Sequence, residues 1–295
     1  MLDMVKRFVV KAVNTVGYDI CRIPKTKDDI AIYHRIYGEE AVENRRFYNI
    51  GAGGFRHQAW TNIDHKSDWY KDAQGNAIGI DCDLMALDHI PIEDNTAEII
   101  YSSHTIEHIT TEAAQNMFNE SYRMLKKGRV FRITTPNIDL DFRAYKANDI
   151  DYYYWIEAYR KPVDYKRVCL NKDLTEASIQ QLFLYQFASS ICTLHADGEP
   201  ERINDKECDR IFREMKYEEA LDYCVSKCSI AVQKKYPGNH ISWWNRDKLA
   251  RMLSIAGFNN IYLSGFGQSC CHVLRDISKF DNTHPKISLY MEAIK

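Results

Sequence analysis

The chain has 295 residues, 45% hydrophobic and 27% charged, and its 39 lysines and arginines against 41 aspartates and glutamates leave a net charge of -2. That length buries a sizeable core as one large domain, or one domain with an insertion, and the composition excludes a disordered chain. A near-neutral balance offers no broad basic field, so no nucleic-acid partner is expected beyond a local patch. The nine scattered cysteines read as reduced thiols of a cytoplasmic protein.

Residues 1–45 predict an N-terminal helical segment. In Met1 to Val16, Leu2, Val5, Val9, Val10 and Val13 alternate with Lys6, Arg7 and Lys11. The apolar runs are too short to span a bilayer, and no long apolar stretch precedes a small-residue cleavage site. A helix packed on the domain is expected, with weak contact to a membrane surface as the alternative. Residues 28–45 continue as a helix with Ile30, Tyr33, His34 and Tyr37 on one face.

Arg46 to Ile50 predicts a strand that runs into a turn containing Gly51, Gly53 and Gly54. Glycine there permits a sharp turn and close approach of a ligand to the backbone, although a plain turn has the same composition. Trp60 to Asp64 predicts a second strand, Ala77 to Asp83 a third and Ala97 to Ser102 a fourth. The next helix is capped by Thr110 or Thr111, carries a stripe from Ala114 to Leu125, and is expected to stop at Lys126-Lys127-Gly128. Arg129 to Thr135 predicts a fifth strand, closed by Pro136.

This alternation implies right-handed crossovers and a parallel sheet, with the main domain at 46–140 and 237–295. Residues 141–236 lose the two-residue alternation and predict a mainly helical insertion that includes a helix from Ser178 to Phe187. It reads as a lid or acceptor-binding subdomain, or as packing against a sheet face or a second subunit in a homo-oligomer. The sheet pattern resumes at His240 to Trp244, followed by a helix from Asn245 to Gly257 and strands at Asn260 to Ser264 and Ile287 to Ala293.

Gly51 to Gly54, Asp64, Asp83 and Ser102 to His104 all fall at the carboxyl ends of predicted strands, where open parallel sheets bind ligands. With Asn49 to Gly54, Asp81 to Leu84, Ile90 to Asn95, Tyr101 to His108, Leu125 to Gly128 and Thr134 to Asn137, the chain resembles the class I S-adenosylmethionine-dependent methyltransferases over roughly residues 44–140 and 240–295. Phe280 to Pro285 and Gly17 to Ile23 are similar to segments of methyltransferases associated with surface-polysaccharide biosynthesis.

The resemblance implies a Rossmann-like seven-stranded, mostly parallel sheet with helices on both faces, and S-adenosyl-L-methionine as cofactor. Gly51 and Gly53 would admit its amino acid portion, and Asp64 would accept from the ribose hydroxyls. Asp83, with Asp81 as a rival, would accept from adenine, with Leu84 and Met85 against the ring. Ser102, Ser103 and His104 would lie nearest the methyl group. Asn49 departs from the family, which usually has an acidic residue there.

A sugar or sugar-linked oxygen is the expected methyl acceptor, with His104 as general base and His240 behind it. His108, one turn from His104, reads as structural. No metal is expected, because that pair lacks a third ligand and has no zinc-protease spacing. Cys224 and Cys228, and the adjoining Cys270 and Cys271, read as free thiols. Three other readings stay open: a nitrogen acceptor, a silent cofactor-binding scaffold for a partner protein, and a nicotinamide dehydrogenase. Arg56 at the third glycine position argues against the last.

Overall fold

The structure, a computed structural model, describes residues 29–75, 79–159 and 174–295. The segments Met1 to Val16 and Gly17 to Ile23, together with Ala77, Ile78 and Tyr165, lie outside the described residues. Seven strands form one sheet: β1 (Phe47–Ile50), β2 (Trp60–Asp64), β3 (Ile80–Asp81), β4 (Ala97–Ser103), β5 (Leu125–Pro136), β6 (Asn260–Leu263) and β7 (Ser288–Ile294). Their order is β3-β2-β1-β4-β5-β7-β6, with β7 antiparallel to both β5 and β6 and the other pairings parallel. This is the Rossmann-like, mostly parallel sheet expected.

Period-two alternation explains why the central strands read as continuous apolar runs: both faces are covered. Phe47, Ile99, Tyr101 and Val130 pack on one face with Tyr33, Trp60 and Phe280. Tyr48, Ile50, Ile100, Phe131 and Ile133 pack on the other with Met117, Phe118 and Leu249. The strand order reverses between β1 and β4, which opens a crevice at their carboxyl ends.

Helix boundaries follow their caps. Thr110 accepts from Ala113 N and starts the helix Thr111–Met124; Asn245 accepts from Lys248 N and starts the helix Arg246–Ile255. The predicted helix 28–45 is two helices, Asp29–Tyr37 and Glu39–Glu43, broken at Gly38 with φ 83°.

Two strand assignments change. Lys126 to Gly128 belong to β5, not to a helical last turn, because Lys126 and Arg129 both pair with the buried Glu98 of β4 and bring that stretch into the sheet. His240 to Trp244 lies outside every strand. Its apolar residues signal burial instead: Trp243 enters the insertion core and Trp244 the sheet-side core.

Between Ile138 and Lys235 the described elements are helices, among them Ile138–Ala147, Ile179–Phe187, Asp205–Glu214 and Tyr217–Ser226. They share a separate core, where Tyr145 and Phe183 stack at 4.9 Å between ring centroids. Asp141 is buried in that core, and its carboxyl is pushed up to about 7 by burial, which Tyr152 and Gln186 offset only in part. A raised folded pKa means stability that is present below the unfolded value of 3.8 and lost as pH rises towards about 7. Asp141→Asn removes this loss, so its melting temperature should gain on the wild type between pH 4 and 8; a constant difference across that range would refute the assignment.

Candidate functional site

A cleft of ≈ 1740 Å³ lies over the carboxyl ends of the strands. Single small-molecule sites occupy about 300–1,000 Å³, so the cleft has room for two ligands side by side. One wall is the glycine turn with Asp64, Asp83 and Leu84; the other comes from the insertion with Trp155, Tyr185 and Gln186.

The glycine turn is held from behind. Gly51 N donates to Ile63 O (2.9 Å) and Gly53 N donates to Asp64 Oδ2 (2.7 Å), so both amides are committed within the protein. Their contribution is close approach of backbone, not hydrogen-bond donation to a ligand. At Gly51 (φ 69°) a Cβ would lie 2.2 Å from the Thr105 side chain, whereas at Gly53 (φ 50°) nothing lies within 4 Å.

Asp64 accepts at both oxygens, from Gly53 N and from His65 N (2.8 Å). Burial raises its pKa, and the two amides offset part of that rise. Asp83 lines the cleft while its Oδ1 accepts from Met85 N; its rival Asp81 is exposed, held by Lys66 N, and outside the lining. Leu84 and Met85 both line the cleft. Asn49 is 4% exposed, and its Oδ1 has no hydrogen-bond partner among the described residues. A buried acceptor left open in the cleft suits an ammonium ligand without needing the negative charge that the sequence lacks there.

The β4 exit carries a second cluster. Ser103 lines the cleft and its hydroxyl pairs with Thr134, whereas Ser102 is buried behind the lining. His104 adopts φ 50°, a left-handed conformation uncommon outside glycine. Its Nδ1 lies 3.0 Å from Glu107 Oε1 and its Nε2 2.7 Å from Ser288 Oγ, so both ring nitrogens are engaged.

Glu107 went unassigned in the sequence. Its spacing of three from His104, with His108 next, was the available signal. It is fully buried, which alone would raise its pKa, yet His104 first and then His108 and His240 hold it down at about 2. Thr135 Oγ1 donates to its Oε2 (3.1 Å), while Oε1 has no directed hydrogen bond among the described residues.

His108 and His240 meet edge to face, with ring centroids 4.7 Å apart. His108 Nδ1 donates to Asn239 O (3.0 Å) and His240 Nδ1 donates to Gln186 O (2.6 Å). A carbonyl can only accept, so in the neutral form of each ring the lone pair lies on Nε2. Glu107, His108 and His240 have ligating atoms within 4.8 Å of one another. Cys224, Cys228, Cys270 and Cys271 are free thiols outside the cleft lining.

The cleft lies at the strand-order reversal of a doubly wound sheet, the place where open α/β sheets bind ligands. More particularly, residues 55–133 match the family model described as a methyltransferase domain. The matched stretch begins just after the glycine turn. No curated protein matches the chain.

Several solved structures are similar in outline. One is an S-adenosylmethionine-dependent methyltransferase of Thermotoga maritima, described as a possible histamine N-methyltransferase: 13% identity, 87% of this chain and 86% of that chain, TM-score 0.39. An Archaeoglobus fulgidus methyltransferase gives 12% identity, 91% and 100% coverage, and TM-score 0.38. Phosphoethanolamine N-methyltransferase 2 of Haemonchus contortus, in complex with S-adenosyl-L-methionine, gives 12% identity, 98% and 56% coverage, and TM-score 0.35. Nothing about this chain's acceptor follows from likeness at that level.

Two outcomes test the local geometry. Gly51→Ala must place alanine in a left-handed conformation, costing about 1–2 kcal/mol, and also displace Thr105, so it should lower the melting temperature by several degrees more than Gly53→Ala; equal losses would refute the packing argument. Burial, followed by His108, pushes His240 down from 6.5 to about 4. The stability it contributes is therefore present above pH 6.5 and lost as pH falls towards 4. His240→Gln should flatten the fall in melting temperature across that window, and an unchanged slope would show that other groups cause it.

Proposed function

We propose that this chain transfers a methyl group from S-adenosylmethionine to an oxygen of a sugar or sugar-linked small metabolite. The observation that carries the proposal is one cleft with two chemically different ends. Over β1 to β3, Asn49, Asp64 and Asp83 offer acceptors, with Leu84 and Met85 beside them for an aromatic ring. At the insertion end, Trp155, Tyr185, Gln186 and Gln233 offer aromatic faces and amides, the lining that suits a polyhydroxylated ligand.

Bound at the first end, S-adenosylmethionine would supply an electrophilic methyl group on a sulfonium. Asn49 Oδ1 would accept from its ammonium, Asp64 from its ribose hydroxyls through remaining lone pairs, and Asp83 from its adenine amino group. Gly51 and Gly53 keep side chains out of the path. The insertion, read as acceptor-binding, would exclude water and orient the nucleophile, the two effects on which such a displacement depends.

His104 would take the acceptor's proton at Nε2 once the Ser288 hydroxyl turns to the carbonyls of Thr283 and His284, which it already reaches at 3.3 and 2.9 Å. Glu107 would hold the ring and balance the charge that forms. Within Phe280 to Pro285, similar to polysaccharide-associated enzymes, Phe280 and Asp281 are buried, and the support for a sugar acceptor comes from Asn282 and His284, which line the cleft.

Calorimetry with S-adenosylhomocysteine should show one site per chain, and Asp64→Ala should weaken it by about ten- to a hundredfold. No binding by the wild type at millimolar ligand would remove the cofactor assignment; undiminished binding by the variant would remove the ribose role. With the bound protein in hand, a panel of hydroxylated sugars and of amines, read by mass of the methylated product, decides the acceptor. Methylation confined to amines would replace the oxygen reading, and tight binding without turnover on either class would favour a scaffold.

A further inference from the structure

We infer that Glu107, His108 and His240 form a binding site for a first-row divalent transition-metal ion at the acceptor end of the cleft. All three residues line the cleft, and their ligating atoms lie within 4.8 Å of one another. Two imidazoles and one carboxylate with open positions are a donor set for zinc or another first-row divalent ion.

The outer partners point the same way. A ligating histidine ordinarily donates its second ring N–H to a carbonyl or carboxylate, which fixes the tautomer and aims the other nitrogen at the ion. His108 does this on Asn239 O and His240 on Gln186 O. Both carbonyls are fixed in turn. Gln233 Nε2 donates to His108 O (2.7 Å), Pro237 O and Asn239 O, and Gln186 sits in the buried helix Ile179–Phe187.

Glu107 supplies the independent observation. Its side chain is 2% exposed, and Oε1 has no directed hydrogen bond among the described residues, although it lies 3.0 Å from His104 Nδ1. A buried carboxylate that His104 compensates from one side, clustered with two imidazoles, gains further compensation from a bound cation. Bonds of about 2.0–2.2 Å to nitrogen and oxygen draw ligands closer than 4.8 Å, so the two rings and the carboxylate would close slightly on the ion.

The ligand set stands independently of the methyl-transfer reading; a role in that reaction rests on it. In that role an acceptor hydroxyl takes an open position on the ion, its proton passes to His104 Nε2, and the oxygen lone pair forms the new bond to the methyl carbon. The electron pair of the carbon–sulfur bond goes to sulfur, leaving a neutral thioether.

The test is a zinc titration of chelator-stripped full-length protein by calorimetry, repeated with cobalt and its visible absorption. The wild type should bind one equivalent, and His108→Ala and His240→Ala should each weaken binding at least tenfold while retaining the wild-type affinity for S-adenosylhomocysteine. That retained affinity shows the variants are folded. Absence of stoichiometric binding, or equal binding by the double variant, as expected if free thiols held the zinc, would overturn the site. Zinc binding that persists in a protein unable to bind S-adenosylhomocysteine would uphold the site and remove methyl transfer. Turnover unaffected by stripping the ion would remove the acceptor role.

Discussion

The buried Glu107 carboxylate is the constraint on which the site depends. A fully buried charge is tolerated only when it is compensated on several sides, and the chain meets that need from three elements. Thr135 reaches it from β5, His104 from the β4 exit, and His108 and His240 lie close enough to depress its pKa. Its backbone carbonyl accepts from Ile241 N (2.8 Å), which brings the segment after the insertion back beneath the strand ends. One residue thus sets where the insertion re-enters the sheet and which histidines face each other.

A second buried charge places the remaining wall. Arg132, fully buried on β5, donates to both oxygens of Asp281 and to Glu292 Oε1 of β7. This holds the loop between β6 and β7 against the sheet, and Phe280 packs on Trp60 and Tyr101 beside it. The loop then delivers Asn282 and His284 to the cleft. Phe280 and Asp281 therefore work in folding, while the residues just after them face the ligand space.

The two halves of the cleft follow different logics. One end is built from strand termini, where β1, β2 and β3 present backbone and carboxylates in fixed register. The other end is built from helices with their own aromatic core, joined to the sheet side through His240 to Trp244.

The sequence by itself determined the platform. Gly51, Asp64, Asp83 and His104 sit at the ends of strands whose alternation is local, so counting residues was enough to put them on one edge of a parallel sheet. Local signals also pointed to a cap at Thr110 or Thr111 and to a helix starting at Asn245. They misplaced the start of β5, because Glu98 draws Lys126 and Arg129 into the sheet from a neighbouring strand. They read His240 to Trp244 as a strand because an apolar run reports burial, not pairing. Only the tertiary structure joined Glu107 and His108 to His240, more than 130 residues away, with each ring oriented by a carbonyl from another element. That meeting depends on where the insertion returns, which no short stretch of sequence encodes.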